Sequence, residues 1–243
     1  MTWNPKALLP DSASALAYPE GCQVCGHRLA EFSNGYICRP CQRLAIPIDG
    51  PICQCCGLPT ENQAPPDFKC ITCRENPWQF DRARALFRTG GMVRDVIHRY
   101  KYEQANYFEP LMDDWLRLFH RTQLPLPDCI IPIPLHPLKK RDREFNQAES
   151  IARLLSAQLQ IPSQPELAAR IKFTETQTHL SRSKRLKNMK GAFAAGSSPL
   201  PARVLLVDDV MTTGATASAV ADVLKRGGAL EVNVLTLARG VLN

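Results

Sequence analysis

Apolar positions along this chain follow two patterns. Some form short unbroken runs bounded by turn residues, as in strands buried on both faces of a parallel sheet: residues 204–207, 129–133 and 83–87. Others recur at helical spacing. Met92, Val93, Val96 and Ile97 share one face, as do Leu111, Trp115, Leu118 and Phe119. A third helix, over 147–159, carries Ala148, Ile151, Ala152, Leu154 and Leu155. Gly90-Gly91 breaks the chain before the first helix, and Pro125 and Pro127 mark a loop before the strand at 129. Strands alternating with helices predict an α/β fold in which helices cover a parallel sheet. The pattern begins at Asp81.

The run 204–207 leads straight into Asp208 and Asp209, then Thr212-Thr213-Gly214 and a helix of small residues. The acids therefore sit at the carboxyl end of a strand, the edge where open α/β sheets bind ligands. Thr212, Thr213, Gly214 and Thr216 offer backbone N–H groups and hydroxyls at a helix start, which suits a phosphate. Two acids cannot hold a phosphate, but they hold sugar hydroxyls and a Mg²⁺ ion. Together these groups specify a phosphorylated sugar. The plainer reading is a buried strand followed by an Asp/Thr turn and a helix N-cap. Residues 204–216 resemble the phosphoribosyl pyrophosphate (PRPP) signature of type I phosphoribosyltransferases. That signature is an apolar strand, two acids, an apolar pair, Thr-Thr-Gly, any residue, then Thr or Ser. The resemblance implies a PRPP site built from Asp208, Asp209, Met211, Thr212, Thr213, Gly214, Ala215 and Thr216, with Mg²⁺.

Nine of the ten cysteines lie before residue 78 and change the picture there. Cys22/Cys25 and Cys38/Cys41 are C-x2-C pairs with twelve residues between them; Cys53/Cys56 and Cys70/Cys73 repeat the pattern with thirteen. Gly26 and Gly57 follow the first pair of each set, where a knuckle turn benefits from a missing Cβ. Each set supplies soft thiolates for one tetrahedral Zn²⁺, and the repeat of about 31 residues reads as two zinc ribbons in tandem, joined through 44–51. Four thiolates leave no open position, so both ions are expected to be structural. Spacing leaves ligation open between a sequential pairing and an interleaved one in which Cys22 and Cys25 join Cys53 and Cys56. Cys55 is a rival thiolate beside Cys56, His27 reads as a surface residue, and Cys129 reads as an inert buried thiol. No apolar run approaches the roughly 20 residues that span a bilayer, and no basic segment followed by an apolar one opens the sequence. A cytoplasmic location is expected, where thiols stay reduced and zinc is favoured over disulfides.

A second chemically dense stretch, 132–149, leaves a strand end through prolines into Lys139, Lys140, Arg141 and Arg143, then Asn146 and Gln147. Backbone N–H groups and cations there suit a polyanion, although a solvated charge run before a helix has the same composition. With the cysteine ribbons, the segment VIHRYKY at 96–102, QTHLSRSKRLKNMKGAF at 177–193 and VLLVDDVMTTGAT at 204–216, it resembles the ComF-type phosphoribosyltransferase-like proteins associated with natural competence in bacteria. That resemblance implies a tail at 1–20, a small cysteine-rich double zinc ribbon at 21–78 and a type I phosphoribosyltransferase fold at 79–243. It also implies a pyrophosphate loop of Pro134, Leu135, His136, Lys139, Arg141 and Arg143. Family members read Arg-Gly-Phe-Asn-Gln where this chain has Arg143-Glu144-Phe145-Asn146-Gln147.

Charge is concentrated. Residues 139–190 hold twelve Lys/Arg and five Asp/Glu, a net of +7, and the whole chain, with 30 and 23, also nets +7, so the remainder balances. A positive band suits an extended phosphate polymer, and single-stranded DNA fits, with Lys139, Lys140, Arg141, Arg143, Arg182, Arg185 and Lys187 as contacts. Tyr100, Tyr102, Phe145 and Phe193 lie near basic residues as candidate base-stacking platforms, although each taken singly reads as core. The function expected is a DNA-uptake factor that handles single strands, retains a PRPP site and works with other uptake proteins. Two readings stand beside it: a phosphoribosyltransferase joining a nucleophile to C1 of PRPP, and a PRPP sensor.

Overall fold

A computed structural model describes residues 21–60, 63–137, 145–172, 189 and 191–240. Four strands, β1 (Arg82–Arg88), β2 (Cys129–Pro132), β5 (Arg203–Met211) and β6 (Glu231–Arg239), form one parallel sheet in the order β1-β6-β5-β2. A separate antiparallel pair joins β3 (Ala168–Arg170) to β4 (Phe193–Ala195). The principal helices are α1 (Gly91–Tyr102), α2 (Glu109–Leu116), α3 (Gln147–Leu159) and α4 (Ala215–Arg226).

The unbroken apolar runs exist because both faces of the sheet are covered. Leu205, Val207, Leu235 and Leu237 pack against α1, α2, α3 and the first ribbon. Val204, Leu206, Val232 and Val234 pack against α4, the β3/β4 pair and the second ribbon. The ribbon linker explains how the two ribbons reach opposite faces: it crosses the free edge of β1. Ile48 N–H donates to Leu86 O at 2.9 Å and Arg88 N–H to Ile46 O at 3.1 Å, which also covers an edge that would otherwise be open. On the other edge, residues 162–164 run beside β2: Ile130 N–H donates to Pro162 O and Gln164 N–H to Ile130 O, both at 2.9 Å.

Several elements differ from the sequence pattern. The second helix stops at Leu116 and continues as a 3₁₀ turn, Arg117–Thr122, so Leu118 and Phe119 lie beyond α2. Strand β5 runs four residues past Val207 and takes both acids into the ladder, with Asp208 beside Thr236. Strand β6 and the β3/β4 pair had no counterpart in the pattern. Helix α3 matches its expected span, started by Asn146, whose side chain accepts the Ala148 N–H at 3.1 Å. Among the described residues no helix is long and apolar enough to cross a membrane.

Candidate functional site

The eight expected metal ligands gather into two clusters, Cys22/Cys25/Cys38/Cys41 and Cys53/Cys56/Cys70/Cys73, with all sulfurs of a cluster within 4.8 Å of one another. The Cys25–Cys38 and Cys56–Cys70 Sγ separations are 3.9 and 3.8 Å. Zn–S bonds of about 2.3 Å in a tetrahedron require sulfur–sulfur edges of about 3.8 Å. A disulfide requires about 2.05 Å. Both clusters fit zinc, and each gathers the cysteines of one ribbon, the sequential grouping. Cys55 stands outside its neighbouring cluster.

The two ribbons repeat each other bond for bond. Gly26 N–H donates to Cys22 O and Gly57 N–H to Cys53 O, closing the knuckles. Cys38 N–H lies 3.4 Å from Cys22 Sγ, and Cys70 N–H 3.3 Å from Cys53 Sγ. Burial opposes ionisation of Cys22, but backbone donors outweigh it and bring its pKa down to about 6, whereas burial and the neighbouring thiols push Cys41 of the same cluster up. Burial likewise pushes the Cys129 thiol up to about 11.

Each knuckle is also held by an arginine fork that the sequence reading missed. Arg99 of α1 donates to Gln23 O at 2.9 Å and Gln23 Oε1 at 2.8 Å. Arg84 of β1 donates to Gln54 O at 3.1 Å and Gln54 Oε1 at 3.0 Å. A glutamine at the same place in both C-x2-C pairs was the available signal.

At the carboxyl edge of the sheet, β5 sends its two acids to opposite faces, as neighbours on a strand must point. Asp208 faces a pocket lined by Ile133, Thr212, Thr213, Gly214, Thr216 and Thr236. Asp209, 5% exposed, faces the α1 layer, where Lys101 Nζ lies 2.7 Å from its carboxylate. Burial pulls the Lys101 ammonium down, but the Asp209 and Asp208 carboxylates more than offset it and hold its pKa above the ordinary lysine value. Arg170 of β3 feels Asp208 too: burial lowers its guanidinium pKa and that carboxylate counters the fall. Gly214, at φ 84°, is the N-cap of α4, so the first turn of that helix opens at the pocket.

Pro134, Leu135 and His136 follow β2, half-buried, at this same edge. Asn146 Nδ2 donates to Ile133 O at 3.2 Å and so clamps their turn to the start of α3. Lys139, Lys140, Arg141, Arg143, Arg182, Arg185 and Lys187 lie outside the described residues.

Comparison with protein families agrees with this architecture. A double zinc ribbon domain model matches residues 13–74, and a phosphoribosyl transferase domain model matches 146–240. Competence protein F of Haemophilus influenzae is 32% identical over 226 residues, covering 90% of this chain and 96% of that protein. The chain belongs to the ComF family. A further ComF-family relative, DNA utilization protein YhgH of Salmonella typhi, is 31% identical over 229 residues, 92% of this chain and 99% of its own. Among solved structures, adenine phosphoribosyltransferase from Leishmania tarentolae is similar at a TM-score of 0.36 and 15% identity, over 58% of this chain and 74% of that one.

In this ComF-family chain, two of the four candidate stacking aromatics are core. Tyr100 is 1% exposed and Phe193 4%. Tyr100 donates to Glu109 at 2.9 Å and meets Phe145 edge-on at 5.2 Å, a contact that fastens α1 to the residue preceding the α3 cap. Arg170 covers Phe193. Their burial removes both from any base-stacking role, whereas Tyr102 is exposed beside His98.

Proposed function

We propose that this ComF-family protein binds PRPP with Mg²⁺ at the carboxyl edge of β5 and acts on single-stranded DNA during DNA uptake. The observation that carries the PRPP reading is the convergence of Asp208, the 212–216 loop and the first turn of α4 on one pocket. Backbone N–H groups at that helix start suit the 5′-phosphate, and the Asp208 carboxylate suits ribose hydroxyls. Mg²⁺ usually takes one or two carboxylates together with substrate phosphates, and Asp208 offers oxygen donors of that kind. The Asp209 carboxylate pairs with Lys101, and the Asp209 N–H donates to Asp208 Oδ1 at 2.9 Å, which helps hold that carboxylate in place. The turn at Pro134, Leu135 and His136, continued by Lys139, Arg141 and Arg143, suits the pyrophosphate.

DNA handling is supported by the names of the relatives, a competence protein and a DNA utilization protein, and by the net +7 of residues 139–190. Titration calorimetry with PRPP and Mg²⁺ should show binding by the wild type and loss of at least about tenfold in affinity in Asp208→Asn, the scale of one charge-assisted contact. Unchanged affinity removes Asp208 from the site. Anisotropy with a labelled oligonucleotide should show affinity falling with salt, with a slope of about −0.7 per neutralised phosphate. Replacing Lys139, Lys140, Arg141 and Arg143 by Ala should flatten the slope and weaken PRPP binding. Replacing Arg182, Arg185 and Lys187 should affect DNA more than PRPP. No oligonucleotide binding at low salt overturns the DNA half of the proposal.

A further inference from the structure

Two struts run from the second cysteine cluster to the loop that follows β5. The first is Arg239, at the end of β6 and 5% exposed. Its Nε donates to Cys56 O at 3.2 Å, and Nη2 lies 3.8 Å from Cys56 Sγ. Its Nη1 donates to Met211 O at 2.8 Å, Gly240 O at 2.9 Å and Thr212 O. A guanidinium cannot shed its charge, so burying one demands both acceptors and counter-charge. The carbonyls supply the acceptors. Four thiolates around one Zn²⁺ leave about two negative charges, and these supply the counter-charge. Arg84, 7% exposed and forked onto Gln54, brings a second guanidinium to the same knuckle.

The second strut is Trp78. Its Nε1–H donates to Cys73 Sγ at 3.3 Å, and its ring stacks on Phe80 with centroids 5.6 Å apart. Both rings lie against Gly214, where an added Cβ would sit 3.6 Å from each. Between them, Gln79 N–H donates to Ser218 Oγ at 3.1 Å, so this short peptide lies along the first turn of α4.

We infer that the second zinc centre is a positioning element for the 211–216 loop, so that metal in the cluster and an anion on the loop tighten each other's hold. The mechanism is geometric. The C=O and N–H of a trans peptide point opposite ways. Holding the Met211 and Thr212 carbonyls on Arg239 therefore turns the N–H groups of Thr212 and Thr213 away from it, and both residues line the pocket. Trp78 and Phe80 meanwhile fix Gly214, the N-cap of α4. Coupling between two sites is reciprocal, so whatever the metal does for the anion the anion does for the metal. The first centre is tied instead to α1, through Arg99, on the other face of the sheet. That the anion is PRPP rests on the function proposed above; the tie itself does not.

The test uses the zinc-loaded full chain and has two readouts. One is hydrogen–deuterium exchange of the 211–216 peptides; the other is zinc release to a chromogenic chelator, with and without PRPP–Mg²⁺. Cys73→Ser should raise loop exchange, whereas Cys25→Ser, in the first ribbon, should not. Arg239→Lys and Trp78→Phe keep the charge or the ring while losing the fork or the N–H···S bond. They should raise loop exchange with both metals still bound, which covers the case where Cys73→Ser fails to fold. In the wild type, PRPP should slow only the release phase that Cys73→Ser removes, on the order of tenfold, within the usual range for coupled sites. Unchanged loop exchange in Arg239→Lys and Trp78→Phe overturns the inference, as does PRPP that binds yet slows neither phase or both equally. If PRPP does not bind while loop exchange responds to the variants, the tie stands and the PRPP reading falls.

Discussion

Lys101 reaches Asp209 from the last turn of α1, and among the described ion pairs this one has the most buried carboxylate, its side chain 7% exposed. Removing one member leaves the other buried without compensation, which typically costs about 3 kcal/mol or more. Lys101→Met should therefore lower stability by about 3 kcal/mol in urea denaturation at neutral pH, and adding Asp209→Asn should restore part of the loss. The pH dependence has a definite sign. The folded-state pKa of Lys101 is raised, so its contribution is complete below 10.5 and fades as pH climbs through the higher folded value. The stability gap between wild type and Lys101→Met should be flat around neutral pH and narrow above 10.5. The sequence displayed Asp208 and Asp209 as a pair because their spacing is local. The roles of Lys101 and Arg239 are illegible in the sequence, since each finds its partners only after distant segments have packed together.

Among the elements, the ribbons were the easiest to read, because metal ligation ties residue type directly to spacing. Their attachment to the sheet was hidden. Cys55 O accepts the Ala83 N–H at 2.7 Å, pressing the second knuckle onto β1. Gly57, at φ 65°, has no room there: an added Cβ would sit 2.5 Å from Ala83 O. Gly26, at φ 68° in the first knuckle, has nothing within 4 Å. Gly26→Ala should cost only the left-handed strain of about 1–2 kcal/mol, whereas Gly57→Ala should cost clearly more, as read by thermal unfolding. Metal analysis should find two zinc ions per chain, still two in Cys55→Ser and one in Cys56→Ser, in line with cluster membership. Strand β6 escaped the pattern because Asn233 and Thr236 interrupt its apolar residues. Both are buried, at 4% and 2%, with hydrogen bonds to Glu231 and Ala238 that no periodicity reveals.

For the whole molecule, the parallel sheet was legible from alternating strands and helices, but its coupling to the metal centres was not. Cysteines of the first ribbon belong to the hydrophobic cluster on one face and those of the second to the cluster on the other. Stripping zinc should therefore lower the melting temperature of the entire protein, by more than about 10 °C and in one transition. Two separate transitions would show the ribbons to be independent modules. The strand order β1-β6-β5-β2 carries a different consequence, for synthesis. The strand between β1 and β5 is the one translated after both of them. A polypeptide released before residue 231 has no neighbour to place between β1 and β5, and it lacks the guanidinium that joins the second knuckle to the strand edge. Such a fragment displays unpaired strand edges of the kind that quality-control proteases and aggregates capture.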